Sequence, residues 1–185
     1  MIFLRETDKD FKKGVSNMKP VLILYLSGTG NTEQIACLLQ EHLERKGLAA
    51  ELKDISLEDF DLEYIRYYAG LLFGTYTYDD GDLPFEIEDF YDELGNTDLT
   101  GIVIGVFGSG DTAYYSFCQA VDLMKEQFQK THANVLEHTV KVDLFPDEPS
   151  ELTDIEKLAD DFVAALQPFP VANEERDGEK NLYNE

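Results

Sequence analysis

The sequence predicts an α/β protein with an open, doubly wound, five-stranded parallel sheet in the order 2-1-3-4-5. Three apolar runs are continuous rather than alternating, which is typical of parallel strands covered by helices on both faces. Segments between and after these runs have helical spacing, so strands and helices alternate along the chain. Sheets of this kind bind ligands outside the carboxyl ends of the strands, at the switch point between the first and third strands.

Five segments are predicted as strands. The second is the weakest and is expected near an edge of the sheet, and Pro146 ends the fifth. In chain order they are residues 21–26, 49–55, 69–74, 102–107 and 134–144.

Four segments are predicted as helices: residues 31–46, 85–94, about 111–130 and 152–166. Gly47 ends the first, Pro84 stands near the start of the second, and Asp111 or Thr112 would cap the third. Each helix is expected to bury a stripe of apolar side chains. The stripes are Ile35, Leu38, Leu39 and Leu43; Phe85, Ile87, Phe90, Tyr91 and Leu94; Phe117, Val121, Met124 and Phe128; and Leu152, Ile155, Leu158, Phe162 and Leu166.

The 185 residues suffice for one domain with a substantial core. We expect this domain at 18–167, with a poorly ordered N-terminal extension at 1–17 and a polar tail at 168–185. No stretch approaches the roughly 18 apolar residues of a membrane span, and the apolar start is too short for a secretory signal. Two cysteines make no disulfide framework, which favours a reducing cytoplasm.

The net charge of −23, from 38 acidic and 15 basic residues, limits the possible partners. Such a charge repels nucleic acid and anionic lipid and favours transient contact with basic protein surfaces. We expect a monomer. The acids either form only a solvated surface or lie near a functional site.

The first loop, residues 27–32, follows the first strand and precedes the first helix. It contains no Lys or Arg, it lacks the Gly-Lys-Ser/Thr of a P-loop, and Glu33 replaces the third glycine of a dinucleotide fingerprint. Its hydroxyl, amide and backbone donors suit a terminal phosphate at a helix N-terminus. A polar turn with a helix cap is the alternative. The loop residues are Ser27, Gly28, Thr29, Gly30, Asn31 and Thr32.

The second loop (residues 75–82) and the third loop (residues 108–114) follow the third and fourth strands. Tyr76 and Tyr78 in the second loop and Tyr114 in the third would allow two aromatic faces to sandwich a flat ring. The glycines of the third loop permit close approach of the backbone. The alternative is that Tyr76 and Tyr78 only cover the core.

Taken together, the three loops resemble those of flavodoxins, which are small electron carriers that bind FMN without a covalent bond. The resemblance covers about residues 19–167 in the right order and spacing. The fifth strand has no long interrupting loop, so the sequence is similar to the short-chain type. The motifs are Ser27-Gly-Thr-Gly-Asn-Thr32, Thr75-Tyr-Thr-Tyr-Asp-Asp-Gly-Asp82, and Gly108-Ser-Gly-Asp-Thr-Ala-Tyr114 continuing through Phe117 to Asp122.

The resemblance implies a role for each part of the three loops. The first loop would hold the FMN phosphate, with Thr75 and Thr77 near the ribityl chain and phosphate. Tyr78 would pack on the inner face of the ring and Tyr114 on the outer face. The pyrimidine edge would meet the backbone of Ser109, Gly110 and Asp111. Tyr76, Asp79 and Cys118 complete the predicted cofactor contacts, although Cys118, like Cys37, also fits a small core residue.

The flavin would carry the chemistry and the protein would tune it. The resemblance implies an anionic fully reduced flavin, with Asp79, Asp80, Asp82 and Asp111 in the loops around it. One carboxylate about 8 Å away, at an effective dielectric of about 40, would cost about 1 kcal/mol, or roughly 40 mV. The predicted function is therefore a low-potential one-electron carrier between a reductase and acceptor enzymes.

Asp79 departs from the family pattern, because many members have glycine after the inner aromatic residue. In those members the resemblance implies a turn whose peptide flips when the flavin is reduced. Glycine tolerates the positive φ of such a turn better than aspartate. We therefore expect Asp79 to disfavour the half-reduced flavin.

Three other functions remain open from the sequence. They are an FMN-dependent quinone or NAD(P)H reductase, a flavodoxin-like activator of one metalloenzyme, and a flavin-free response-regulator domain. A response-regulator domain would need an acidic residue at the position of Ser27. We predict no catalytic residue and no metal ligand, since His42 falls in the first helix and His132 and His138 lie outside the three loops.

Overall fold

The computed structural model describes residues 19–57 and 60–166, which form a parallel sheet between two layers of helices. The sheet order is β2-β1-β3-β4-β5, and β6 also pairs with β4. This confirms the predicted order and the edge position of the second strand. The strands are β1 Val21–Tyr25, β2 Ala50–Asp54, β3 Gly70–Tyr76, β4 Val103–Gly110, β5 Asn134–Val135 and β6 Val140–Asp143. The predicted extension at 1–17 and tail at 168–185 lie outside the described residues.

Helices cover both faces of the sheet, as predicted for a doubly wound fold. They are α1 Asn31–Arg45, α2 Glu88–Leu94, α3 Gln119–Gln129 and α4 Pro149–Leu166, with 3-10 turns at Leu62–Tyr67 and Phe85–Ile87. One core includes Ile23 of β1, Leu43 of α1 and Phe162 of α4. The other includes Phe73 and Phe90, whose rings stack with centroids 5.1 Å apart. No helix within the described residues is long and apolar enough to cross a membrane.

The predicted fifth strand, residues 134–144, is divided into β5 and β6. Ile104 of β4 pairs with Val135, whereas Phe107 pairs with Val140. Four residues, 136–139, therefore lie opposite two residues of β4, and this mismatch interrupts the ladder as a bulge does. Beyond the break, β6 extends along β4 as far as Gly110, so the end of β6 reaches the third loop.

The third helix begins at Gln119, not at the predicted Asp111 or Thr112. The Asp111 carboxylate accepts a hydrogen bond from the Ala113 N–H at 2.8 Å and so caps a turn. The N–H and the hydroxyl of Thr112 donate hydrogen bonds to the Asp143 carboxylate, 31 residues away. Cys118 then has φ +52, a left-handed conformation that a right-handed helix cannot continue through.

Two of the predicted buried side chains are exposed. Phe85 is 81% exposed and Leu152 is 37% exposed. Phe85 lies in a 3-10 turn, whose three residues per turn do not continue the stripe of the following α-helix. Leu152 lies in the first turn of α4, which starts three residues earlier than predicted, and the buried stripe of α4 begins at Ile155.

Candidate functional site

A cavity of about 440 Å³ opens at the carboxyl ends of β1, β3 and β4, where the three loops meet. Twelve of the sixteen predicted cofactor residues line it. They are Gly28, Thr29, Asn31, Tyr76, Thr77, Tyr78, Asp79, Ser109, Gly110, Asp111, Tyr114 and Cys118. The other four, Ser27, Gly30, Thr32 and Thr75, are not among the lining residues and hold the loops in place.

The first loop leads directly into α1, whose N-cap residue Gly30 has φ +91. No side chain of the described residues caps this helix, so its first N–H groups remain available to a ligand. The Ser27 hydroxyl accepts a hydrogen bond from the Gly30 N–H at 3.1 Å, which tightens the loop. This arrangement is that of an anion site at a helix N-terminus, and it fits the terminal phosphate of FMN.

A buried hydrogen bond joins the first loop to the third. The hydroxyls of Thr32 and Ser109 are 2.8 Å apart, with Thr32 fully buried and Ser109 4% exposed. Beside them, β3 and β4 lie so close together that a Cβ at Gly108 would be 2.1 Å from the Thr75 carbonyl oxygen. Thr75 is fully buried, and its hydroxyl donates to the Tyr76 carbonyl at 3.0 Å. These groups position the walls of the cavity.

In the second loop, two backbone hydrogen bonds between Tyr78 and Asp82 close a turn. The Tyr78 N–H donates to the Asp82 carbonyl at 3.0 Å, and the Asp82 N–H donates to the Tyr78 carbonyl at 2.9 Å. Asp79 within it has φ +43. Gly81 packs against α3, since a Cβ there would lie 2.5 Å from Gln119 Oε1. The turn presents Tyr78, which is 59% exposed, at the cavity mouth. Tyr78 is therefore positioned by the backbone of a fixed turn.

Two other residues of the second loop connect it to its neighbours. The Tyr76 ring lies 3.5 Å from the position that a Cβ at Gly28 would occupy, so this ring closes on the first loop. Burial, followed by the charge of Glu86, raises the pKa of Tyr76. The Thr77 hydroxyl accepts a hydrogen bond from the Ala120 N–H at 3.2 Å and so caps the start of α3.

The third loop is anchored to the end of β6. Asp143 accepts hydrogen bonds from the N–H and the hydroxyl of Thr112, at 3.0 and 2.7 Å, and these bonds lower the pKa of its carboxyl. The Asp143 N–H in turn donates to Glu151 Oε1 of α4 at 2.9 Å. Tyr114, two residues after Thr112, is 59% exposed at the cavity mouth. The loop that carries Tyr114 is thus attached to β6, and through it to α4.

Three lining residues were not predicted from the sequence: Ser116, Phe117 and Leu144. Ser116 and Phe117 follow the third loop and were assigned to a helix that begins later than expected. Leu144 follows β6, and its N–H donates to the Gly110 carbonyl at 2.7 Å. Nothing local in the sequence marks Leu144, because its place depends on the register between β6 and β4.

Both cysteines are free thiols. Cys118 is fully buried, and burial raises the pKa of its thiol to about 12, so the group is neutral at physiological pH. Its Sγ lies 3.9 Å from the Val142 carbonyl oxygen. Cys118 is therefore both a cavity-lining residue and a core residue.

The charge around the cavity is negative. Within the part of the chain that the structure describes, the lining residues include Asp79 and Asp111 and no Lys, Arg or His. Residues 67–124, which contain the second and third loops, carry eleven acids and no Lys or Arg. A further electron on a bound group would therefore be placed next to acidic side chains, with no cation among the described lining residues.

Comparison with known proteins identifies the family. The family model described as Flavodoxin matches residues 23–157, well over half of the chain. The chain belongs to the flavodoxin family. It is 37% identical over 147 residues to probable flavodoxin 1 of Bacillus subtilis, covering 80% of this chain and 92% of that protein.

Solved flavodoxin structures have the same fold. Oxidised flavodoxin 2 from Bacillus cereus aligns with a TM-score of 0.74 at 39% identity, covering 78% of this chain and 98% of its own. A short-chain flavodoxin associated with a PDU bacterial microcompartment aligns at 0.76 and 34% identity, covering 81% and 100%. Members of this family are electron-transfer flavoproteins that bind FMN. This flavodoxin is accordingly an FMN-binding electron carrier and not an enzyme, and the alternative functions are not favoured.

Proposed function

We propose that FMN binds in the 440 Å³ cavity, with its phosphate in the first loop and its ring between Tyr78 and Tyr114, and that the protein is a low-potential one-electron carrier. The observation that supports this most is the convergence of three loops, distant in sequence, on one cavity. An uncapped helix N-terminus lies on one side of it, and exposed tyrosines lie at its mouth.

At the phosphate end, uncharged hydrogen-bond donors bind the FMN phosphate. Thr29 and Asn31 line the cavity beside the first N–H groups of α1, and the first loop contains no Lys or Arg. Ser27 and Thr32 keep the loop in shape through their bonds to Gly30 and Ser109. Phosphate is thereby held by hydrogen bonds and the helix dipole, without a cation from the first loop.

At the ring end, the side chains set the environment. When bound, FMN supplies the one-electron chemistry, and the protein supplies orientation and electrostatics. Tyr78 and Tyr114 exclude water from the two faces. Asp79 and Asp111 line the cavity and disfavour added negative charge, which lowers the potential of the final reduction. One carboxylate about 8 Å from the ring would contribute roughly 40 mV.

Electron transfer requires redox partner proteins, and the net charge of −23 favours transient docking on basic surfaces. The same charge disfavours self-association, which supports a monomer. Two free thiols, one of them in the core, fit a reducing cytoplasm.

A comparison of FMN with riboflavin tests the orientation of the cofactor. Titration of the apoprotein, followed by quenching of flavin fluorescence, should give at least a hundredfold tighter binding for FMN, about 2.7 kcal/mol. Asn31→Asp, which places a charge in the first loop, should lose most of this preference while riboflavin binding is unchanged. Asn96→Asp, which adds the same charge at an exposed residue after α2, is the matched control. Equal affinity for both flavins would contradict the phosphate assignment.

A further inference from the structure

Leu144, the residue that follows β6, combines a strained backbone with an exposed apolar side chain. Its φ is +58, in the left-handed region, which glycine and asparagine adopt more readily than leucine. Its side chain lines the cofactor cavity and is 51% exposed. Neither backbone preference nor burial in the core therefore explains a leucine at this position.

Hydrogen bonds at Leu144 and at the residue before it hold this conformation. The Leu144 N–H donates to the Gly110 carbonyl of β4 at 2.7 Å. Asp143 accepts two hydrogen bonds from Thr112 and donates its own N–H to Glu151 of α4 at 2.9 Å. A strained backbone persists only where its surroundings fix it in this way, and such residues are concentrated at ligand sites.

The part of the cavity beside Leu144 is the end proposed to hold the flavin ring. Gly110, to which Leu144 is bonded, and Tyr114 line the same cavity. Leu144 is the only leucine, isoleucine or valine among the described lining residues. A ring placed against it would cover the exposed part of the side chain and remove apolar surface from water. Contact with the ring would therefore explain both the exposure and the strain.

We propose that Leu144 is a flavin-contacting residue, whose side chain packs against the ring of FMN beside Gly110 and excludes water there. The proposal rests on the proposed function, because it requires the ring at this end of the cavity. It adds a side chain from the end of β6 to a site whose predicted contacts all precede α3. The hydrogen bonds of Asp143 and Glu151 then serve to position Leu144 as well as the third loop.

The test compares two substitutions of Leu144 in the full chain freed of flavin. Leu144→Asn keeps a similar size and suits a positive φ, but its side chain is polar, whereas Leu144→Met remains apolar. Leu144→Asn should weaken the binding of both FMN and riboflavin about tenfold, because the two flavins share the ring and its apolar contact. Leu144→Met should bind both flavins within about twofold of the wild type. Quenching of flavin fluorescence measures all four affinities.

Two further measurements distinguish contact with the ring from a structural role. The thermal unfolding midpoint of the Leu144→Asn apoprotein should not fall, since asparagine relieves the strain at this φ and only a half-buried contact is lost. In the loaded variant the potential of the final reduction should rise, because water beside the ring solvates the added charge. Phe145→Asn is the matched control. Phe145 is 48% exposed and is not among the lining residues, so flavin affinity and potential should stay unchanged.

Three results would overturn the proposal. The first is an unchanged affinity for both flavins in Leu144→Asn. The second is a loss of apoprotein stability that accompanies the loss of affinity, which would make Leu144 a structural residue. The third is weaker binding of FMN alone, which would place Leu144 at the phosphate. Failure of the proposed function is distinct from all three, because the wild-type chain would then bind no FMN or would bind riboflavin as tightly as FMN.

Discussion

The hydroxyls of Thr32 and Ser109 lie 2.8 Å apart, although 77 residues separate them in the chain. The pair joins the first turn of α1 to the end of β4, and both side chains are buried. An isolated buried hydroxyl is costly, whereas a paired one is tolerated. The bond therefore links the phosphate side of the site to the ring side.

Thr32→Val should leave the Ser109 hydroxyl without its partner and destabilise the protein by about 1–3 kcal/mol in urea unfolding. FMN affinity should fall as well, since the first loop loses its attachment to β4. The double variant with Ser109→Ala should be less destabilised than the sum of the single variants, because no unpaired hydroxyl remains. Thr153→Val on exposed α4 is the control. Additive effects would show that the two hydroxyls do not interact.

Gly108→Ala tests the close approach of β3 and β4 under the cavity. The added methyl group would lie 2.1 Å from the Thr75 carbonyl oxygen and 2.5 Å from a Val121 methyl, so the strands must separate. We expect a loss of about 1–3 kcal/mol and a lower FMN occupancy. Gly95→Ala, at the end of α2, meets its nearest atom at 3.3 Å and should change stability little. A fully stable, fully loaded Gly108→Ala protein would contradict this packing.

The anchoring of the third loop by Asp143 predicts a pH dependence. Hydrogen bonds from Thr112 hold the pKa of Asp143 below its ordinary value of 3.8. The ionised carboxylate therefore stabilises the folded state above that value, and the contribution is lost as the pH falls through the lowered pKa. Thr112→Val should lower the midpoint of thermal unfolding at pH 7, with a difference from the wild type that narrows below about pH 4.

Thr100→Val provides the control for this experiment. Thr100 gives its N–H and its hydroxyl to Asp98 at 3.0 and 2.6 Å, and these bonds likewise lower the pKa of that carboxyl. Neither residue lines the cofactor cavity. Both variants should show the pH-dependent loss of stability, but Thr112→Val alone should weaken FMN binding. Equal FMN affinities would show that Asp143 does not position the third loop.

Asp79→Gly tests whether the second loop disfavours half-reduced flavin. Asp79 has φ +43, a conformation that glycine adopts without strain and that a side chain opposes. We expect the variant to stabilise half-reduced flavin and so to widen the separation between the two potentials in a spectroelectrochemical titration. Asp79→Asn removes the charge but keeps the Cβ, and should raise the potential of the final reduction and so narrow the separation. The same response in both variants would assign the effect to charge.

Local sequence patterns predicted the framework correctly. Continuous apolar runs marked β1, β3 and β4, and Gly47, with φ +81, ends the first helix as expected. The first loop could be recognised as an anion site because its donors and the helix N-terminus are contiguous in the chain. The family could be recognised because three such loops occur in a fixed order, each encoded within about ten residues.

Contacts between distant segments could not be predicted in this way. The start of α3 at Gln119 depends on Thr112 being held by Asp143, and the division of β5 from β6 depends on their register with β4. The same register brings Leu144 to the cavity. The sequence by itself therefore determined the strands β1 to β4 and the chemistry of each loop, since these follow from neighbouring residues, and the alternation of strands and helices implied the strand order. Only the tertiary structure decided that Thr32 meets Ser109 and that Phe85 faces solvent, because both depend on how separate elements pack.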